Sequence, residues 1–212
     1  MFLVIMKKSF EAYQLHAGDV IASIGAASGV WEIGLASMQS GLTFYIQDID
    51  EYSCNDEEVA YTKAYWERQL GHSIEGTFYA ILGTPQKTNL PKNTFDKVLI
   101  INAFHEFQCL EEMLQEVIQI LKPAGKLIIE EEIALTHGQL HEGCGLPLFS
   151  ETQLVDLLEA NQFRLDRVVA KESYLKVFIF EKNRFRVNVW YVQSFDSGLN
   201  VDLLSVNLCS RL

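Results

Sequence analysis

Strand-like apolar runs alternate with helix-like runs along most of this chain, and that rhythm restricts it to few folds. "DVIASIG" (19–25) reads as a buried strand and "GVWEIGLASMQ" after it as a helix. "LTFYIQDID" (42–50) is a second strand, and "NDEEVAYTKAYWERQL" (55–70) a helix that Asn55 can cap, with Asp56, Glu57 and Glu58 suited to its positive N-terminal end. "EGTFYAILG" (75–83) and "FDKVLIINAF" (95–104) are the third and fourth strands. The fourth is apolar on both faces, as an inner parallel strand requires. Phe107, Leu110, Met113, Leu114, Val117, Ile118 and Leu121 form one helical stripe, stopped by "KPAG". "KLIIEEEI" (126–133) is a fifth strand, and "SETQLVDLLEAN" (150–161) opens with the Ser150/Gln153 pattern of a capping box. "FRLDRVVA" and "YLKVFIFEK" close the series as a strand pair.

This order predicts an α/β fold: a doubly wound, mostly parallel seven-stranded sheet whose last strand is antiparallel. Residues 1–183 would form that domain. Residues 184–212 alternate apolar and polar side chains about "FDSG", which suggests an added C-terminal β-hairpin packed on the body or on a second copy of the chain, a homodimer.

Charge narrows the partners. Acidic residues outnumber basic ones 28 to 17, for a net charge of -11, and no Lys/Arg cluster stands out, which disfavours nucleic acid. No apolar run approaches the roughly 20 residues needed to span a bilayer, so no membrane partner is expected. The opening "MFLVIMKK" is too short, and its charges are wrongly ordered, for a signal peptide. Cys54, Cys109, Cys144 and Cys209 lie far apart with no C-x-x-C pair, so a reduced, cytoplasmic setting is the simplest expectation.

The chemistry concentrates where the first strand meets its helix. In "SIGAASGVWEIG" (23–34) small residues separate strand from helix, and the helix start offers unpaired N–H groups to an anion. Asp48 follows Gly29 by nineteen residues and ends the second strand, where a carboxylate can accept hydrogen bonds from a ribose diol; Asp50 is its rival. Glycines at 25, 29 and 34 do not make G-x-G-x-x-G, so a pyrophosphate is a poorer fit than a ligand with one amino-acid carboxylate.

With these pieces in order, the sequence resembles the class I S-adenosylmethionine-dependent methyltransferases, and in particular the small stand-alone methyltransferase-domain group, over about residues 18–182. The matching motifs are "VIASIGAASG", "FYIQDID", "LPKNTFDKVLIINAFHEF" and "ILKPAGKLIIEEE". The resemblance implies a Rossmann-like sheet, S-adenosylmethionine as cofactor, and methyl transfer to a small-molecule acceptor. It puts Gly25, Ala27 and Gly29 at the methionine end of the cofactor, Asp48 on the ribose with Ile49 beside the adenine, and Thr84 near the adenine amino group. Asn102 and Ala103 would lie near the sulfonium and methyl. Three positions depart from the family pattern: Ser23 replaces the usual first acid, Ala27 the middle glycine, and Thr84 a frequent Asp. They leave a second reading open, a non-catalytic methyltransferase fold kept for binding or assembly. A nucleotide-linked oxidoreductase is a third, disfavoured by the glycine spacing.

Methyl transfer needs alignment, and a base only when the acceptor starts protonated. His105, with Glu106 beside it, follows the fourth strand on the rim where an acceptor would dock, and is the candidate base. In "EEE" (130–132), Glu130 or Glu131 could point to the ligand, and alternation alone does not choose. The loop "THGQLHEGCGLP" (136–147) carries His137, His141 and Cys144 at spacings that would share one helix face. Its glycines and proline argue against a helix, so no metal is expected and a polar substrate loop is preferred.

Overall fold

The computed structural model describes residues 2–183, so the hairpin expected over 184–212 lies outside the described residues. The elements, in order, are α1 (Phe2–Tyr13), β1 (Val20–Ile24), α2 (Val30–Ala36), β2 (Leu42–Asp48), α3 (Asp56–Leu70), β3 (Gly76–Leu82), β4 (Phe95–Ile101), α4 (Leu110–Ile120), β5 (Leu121–Glu132), α5 (Glu151–Ala160), β6 (Phe163–Ala170) and β7 (Leu175–Lys182). The seven strands lie in the order β3-β2-β1-β4-β5-β7-β6. Six of them run in one direction, and β7, the last in the chain, runs antiparallel between β5 and β6, as the sequence suggests. The chain reverses its direction of sheet growth between β1 and β4, so a crevice opens outside the carboxyl ends of those two strands.

Helices cover both faces. Met113, Leu114, Val117 and Ile120 of α4, with Leu154 and Leu158 of α5, pack on Ala22, Ile24, Val98, Ile100, Leu127 and Ile129. Each such buried side chain contributes about 1.5–3 kcal/mol. On the other face α1, α2 and α3 bury Met6, Tyr13, Ile33, Leu35 and Trp66 against Ile21, Phe44, Ile46, Leu99 and Ile128. Local signals act as read: Asn55 Oδ1 accepts the Glu58 N–H at 3.0 Å, Gly71 ends α3 at φ 74°, and Ser150 and Gln153 form the full capping box.

Two differences from the sequence reading matter. The opening residues form a helix, α1, and bury Met6, Ser9 and Tyr13 along one stripe. The fifth strand begins at Leu121, paired with Phe95, and regains regular register only at Lys97↔Lys126 because the chain between bulges out. Among the described residues no helix is long and apolar enough to cross a membrane.

Candidate active site

A cleft opens at the carboxyl ends of β1, β2 and β4. Gly25, Asp48, Ile49, Ala103 and Glu106 line it, together with Gln47 and Phe107, which sequence reasoning does not place at the site. Ala27, Gly29, Thr84 and Asn102 are not among its lining residues, and each has another structural role. Gly29 sits at φ 73°, and a Cβ there would lie 2.3 Å from Ile46 Cδ1, so this glycine seats the start of α2 on β2. Ala27, also left-handed at φ 46°, donates its N–H to Asp48 Oδ2 at 2.8 Å. Thr84 Oγ1 accepts the Lys87 N–H within its own turn, and Pro85 takes the wall. Asn102, at φ 49°, turns the chain off β4 while its N–H reaches Glu130 O at 2.8 Å, which leaves Ala103 facing the cleft. A Cβ on Gly25 would come within 2.7 Å of the Ala103 Cβ, so the loop after β1 and the end of β4 touch across the cleft floor.

Asp48 is braced from three sides: besides Ala27, its Oδ1 accepts the N–H groups of Ile49 (2.7 Å) and Asp50 (3.1 Å). With two donors on Oδ1 and one on Oδ2, the carboxylate keeps capacity for a further donor at Oδ2. Next to it Gln47 is 1% exposed, and neither side-chain polar atom has a partner among the described residues. A buried amide without partners costs on the order of 1–3 kcal/mol unless a ligand meets it. The cleft thus offers a fixed carboxylate, an unmet amide and the exposed apolar side chain of Ile49, a set that suits a nucleoside with ribose hydroxyls and a flat base.

Where the first motif has Ser23 in place of an acid, α2 supplies one. Ser23 Oγ donates to Glu32 Oε1 at 2.6 Å, with Glu32 only 2% exposed. Burial raises the Glu32 carboxyl to about 7, against the hydrogen bonds from Ser23 and from the backbone of Glu32 and Trp31. A carboxyl raised from 4.5 in this way leaves the fold unpenalised below that pH, and costs it progressively as the pH climbs to about 7. The loss is on the order of 3 kcal/mol and constant above that point. Urea unfolding at pH 5 and pH 8 should therefore show Glu32→Gln gaining that much on the unsubstituted protein at the higher pH. Parallel stabilities at both values would refute it.

Beside the cleft stands a buried pair. His105 Nδ1 lies 2.9 Å from Glu131 Oε1, with both side chains 0% exposed, and Glu131 Oε2 also accepts the Phe104 N–H at 2.9 Å. The carboxylate requires Nδ1 to carry the proton, which leaves Nε2 as the reactive nitrogen. The Glu131 hydrogen bond outweighs burial and lifts His105 to about 9, so Nε2 also holds a proton at neutral pH and becomes a base as the pH rises toward that value. Glu106, the other candidate, is exposed on the cleft wall with Oε1 3.7 Å from His105 Nε2. Cys144 Sγ stands 3.4 Å from the same nitrogen and 3.2 Å from His141 Nδ1, while exposed His137 is not part of this group. The loop after β5 thus folds back onto His105.

Glu130, one residue from Glu131, points to the opposite face of the sheet. Its carboxylate accepts from Lys171 Nζ at 2.5 Å and from the Tyr13 hydroxyl at 2.8 Å, and Lys171 also donates to Ser9 Oγ at 2.6 Å. Burial, then the Glu130 charge, raise the Tyr13 phenol well above its ordinary value, so it stays a donor.

Comparison with known proteins agrees with this geometry. The methyltransferase-domain family matches residues 24–129, half of the 212-residue chain. A squalestatin hexaketide synthase from Phoma sp. is 29% identical over 129 residues, 59% of this chain and 5% of that protein. A highly reducing polyketide synthase from Gibberella zeae is 28% identical over 162 residues, 65% of this chain and 6% of its own length. The chain therefore spans only about one-twentieth of the curated relatives it matches. Among solved structures, a SAM-dependent methyltransferase from Aquifex aeolicus superposes with a TM-score of 0.65 at 22% identity, covering 82% of this chain and 88% of that one. A cleft at the β1–β4 switch point, on a sheet with this strand order and with this family match, assigns the chain: it belongs to the methyltransferase-domain family.

Proposed function

We propose that the protein methylates an acidic carbon of a small molecule, a C–H flanked by carbonyl groups such as a β-ketoacyl thioester presents. S-adenosylmethionine, when bound, supplies an electrophilic methyl group on a sulfonium. Asp48 holds the ribose hydroxyls, Gln47 and Ile49 meet the adenine, and Gly25 with Ala103 forms the floor beneath the methionine end. These assignments draw on the lining of the cleft and on the unmet Gln47 amide. In its neutral form His105 takes the proton of the acceptor carbon on Nε2, and the electron pair left on that carbon forms the new C–C bond while the methyl–sulfur bond breaks and its electron pair stays on the sulfur of the departing S-adenosylhomocysteine. Glu131 fixes the ring and offsets the positive charge of the imidazolium.

The observation that carries this reading is the His105–Glu131 pair, since a nucleophile that is already deprotonated would need no buried base. Its polyketide synthase relatives favour the same acceptor class. Two measurements test it. Calorimetric titration with S-adenosylhomocysteine should show one site, which Asp48→Ala weakens by about 1.5–3 kcal/mol, the cost of losing hydrogen bonds to a charged group. An unchanged affinity would remove the ribose role from Asp48. Incubation with S-adenosylmethionine and a β-ketoacyl thioester should yield the α-methyl product by mass spectrometry. Methylation at oxygen alone would overturn the carbon assignment.

A further inference from the structure

We propose that His105, His141 and Cys144 form a binding site for a thiophilic divalent cation of the Zn²⁺ type. One ligand atom from each lies within 4.8 Å of the others. Two of the pairs, 3.4 Å from His105 Nε2 to Cys144 Sγ and 3.2 Å from His141 Nδ1 to Cys144 Sγ, are close to the roughly 3.5 Å that separates nitrogen and sulfur around a tetrahedral zinc. Two imidazoles and a thiolate select such an ion over magnesium or calcium, which prefer oxygen.

The site is built into the loop. His141 donates its N–H to Leu146 O at 2.8 Å, and Gly145 returns its own to His141 O at 2.9 Å from a left-handed φ of 73°. This tight turn brings residues 141 and 144 together without a helix; the glycines that argue against a helix are what make it close. Leu148 N–H to Gln139 O (3.0 Å) and Ala134 N–H to Phe149 O (2.8 Å) hold the stem of the loop over the end of β4. Glu131, on the far nitrogen of His105, is the carboxylate partner that metal-bound histidines characteristically have, and orients Nε2 toward the sulfur. Glu106 Oε1, 3.7 Å from that Nε2, stands beside the fourth position, which is otherwise water's.

The consequence for activity rests on the function proposed above. A cation on His105 Nε2 occupies the lone pair that accepts the acceptor's proton, so the loaded protein is silent and a chelator restores it. Titration of the tag-free protein with Co²⁺ should reach one equivalent per chain, with a thiolate-to-cobalt charge-transfer band in the near ultraviolet and intense visible bands of a four-coordinate ion, all bleached by Zn²⁺. Cys144→Ser should remove the charge-transfer band and weaken binding about tenfold or more. His141→Ala should weaken it similarly and keep the band. Cys54→Ser, buried elsewhere, should change nothing. Absence of the band, or its persistence in Cys144→Ser, overturns the site. Cobalt binding as described in a protein that transfers no methyl group upholds the site and rejects the function proposed above. Methyl transfer undiminished by stoichiometric Zn²⁺ rejects the silencing.

Discussion

Replacing His105 by alanine should lower kcat for the β-ketoacyl thioester by about 10²–10⁴ while leaving the affinity for S-adenosylhomocysteine as it was. That fall corresponds to about 2.7–5.4 kcal/mol of lost transition-state stabilisation. The split follows from the geometry: His105 is buried against Glu131 beside the cleft and is not among the residues that hold the cofactor, and an acceptor reaches its Nε2 when Cys144 and its loop give way. Glu131→Gln should lower kcat by about 10² or more, because a carboxamide no longer dictates which ring nitrogen carries the proton. It keeps an oxygen for the Phe104 N–H, so the turn after β4 should survive. Two readouts separate a base from a packing residue. Wash-in of deuterium at the acceptor α-carbon should vanish in His105→Ala, and added imidazole should restore part of it. A His105→Ala protein that retains full kcat would remove the base from the mechanism.

The second large effect is on stability. Lys171→Met should cost about 3–5 kcal/mol, because it leaves the Glu130 carboxylate, 1% exposed, without its cation. For a domain of this size the melting temperature should drop by roughly 10 °C. Tyr13 remains as a donor but brings no charge, and Trp31, whose ring lies 5.2 Å beneath the Lys171 ammonium, offers only its π face. Adding Glu130→Gln to Lys171→Met should recover most of the loss, since what destabilises is the stranded charge rather than the absent pair. Thermal and urea unfolding of the four proteins in the cycle decide the matter. Additive costs would show that Lys171 stabilises through its aliphatic stem alone.

The sheet was legible because each inner strand is apolar on both faces and each covering helix carries its stripe, so period and length suffice to place them. The helix α1 went unread although Met6, Ser9 and Tyr13 share one face: a serine in the middle of the stripe hides the periodicity, and its partners, Glu130 and Lys171, lie more than a hundred residues away. The run "EEE" could not be resolved for a related reason. Neighbouring residues of a strand point to opposite faces, and only the pairing of β5 with β4 shows that Glu131 reaches His105 while Glu130 faces α1. Glu32 hides as one acid in the first turn of a helix, the most ordinary place for it. Sequence distance groups Cys144 with His141 and His137; the fold keeps His141 beside it, but the loop's reversal replaces His137 with His105, and no local spacing encodes that return.

The antiparallel β7 leaves the two rims of the sheet with unequal freedom. The turn from β6 into β7 comes round at the same edge as the ends of β4 and β5, where Tyr174 O receives the Ile133 N–H and Lys171 reaches beneath Glu130. Divergence among descendants that altered this turn, or the 134–149 loop, would be felt by whatever molecule is docked there. Lengthening the connection around residues 122–125, at the far rim, would not. New acceptor preferences are therefore most cheaply acquired by grafting segments at one edge only, with the opposite edge free to drift or to carry fusions.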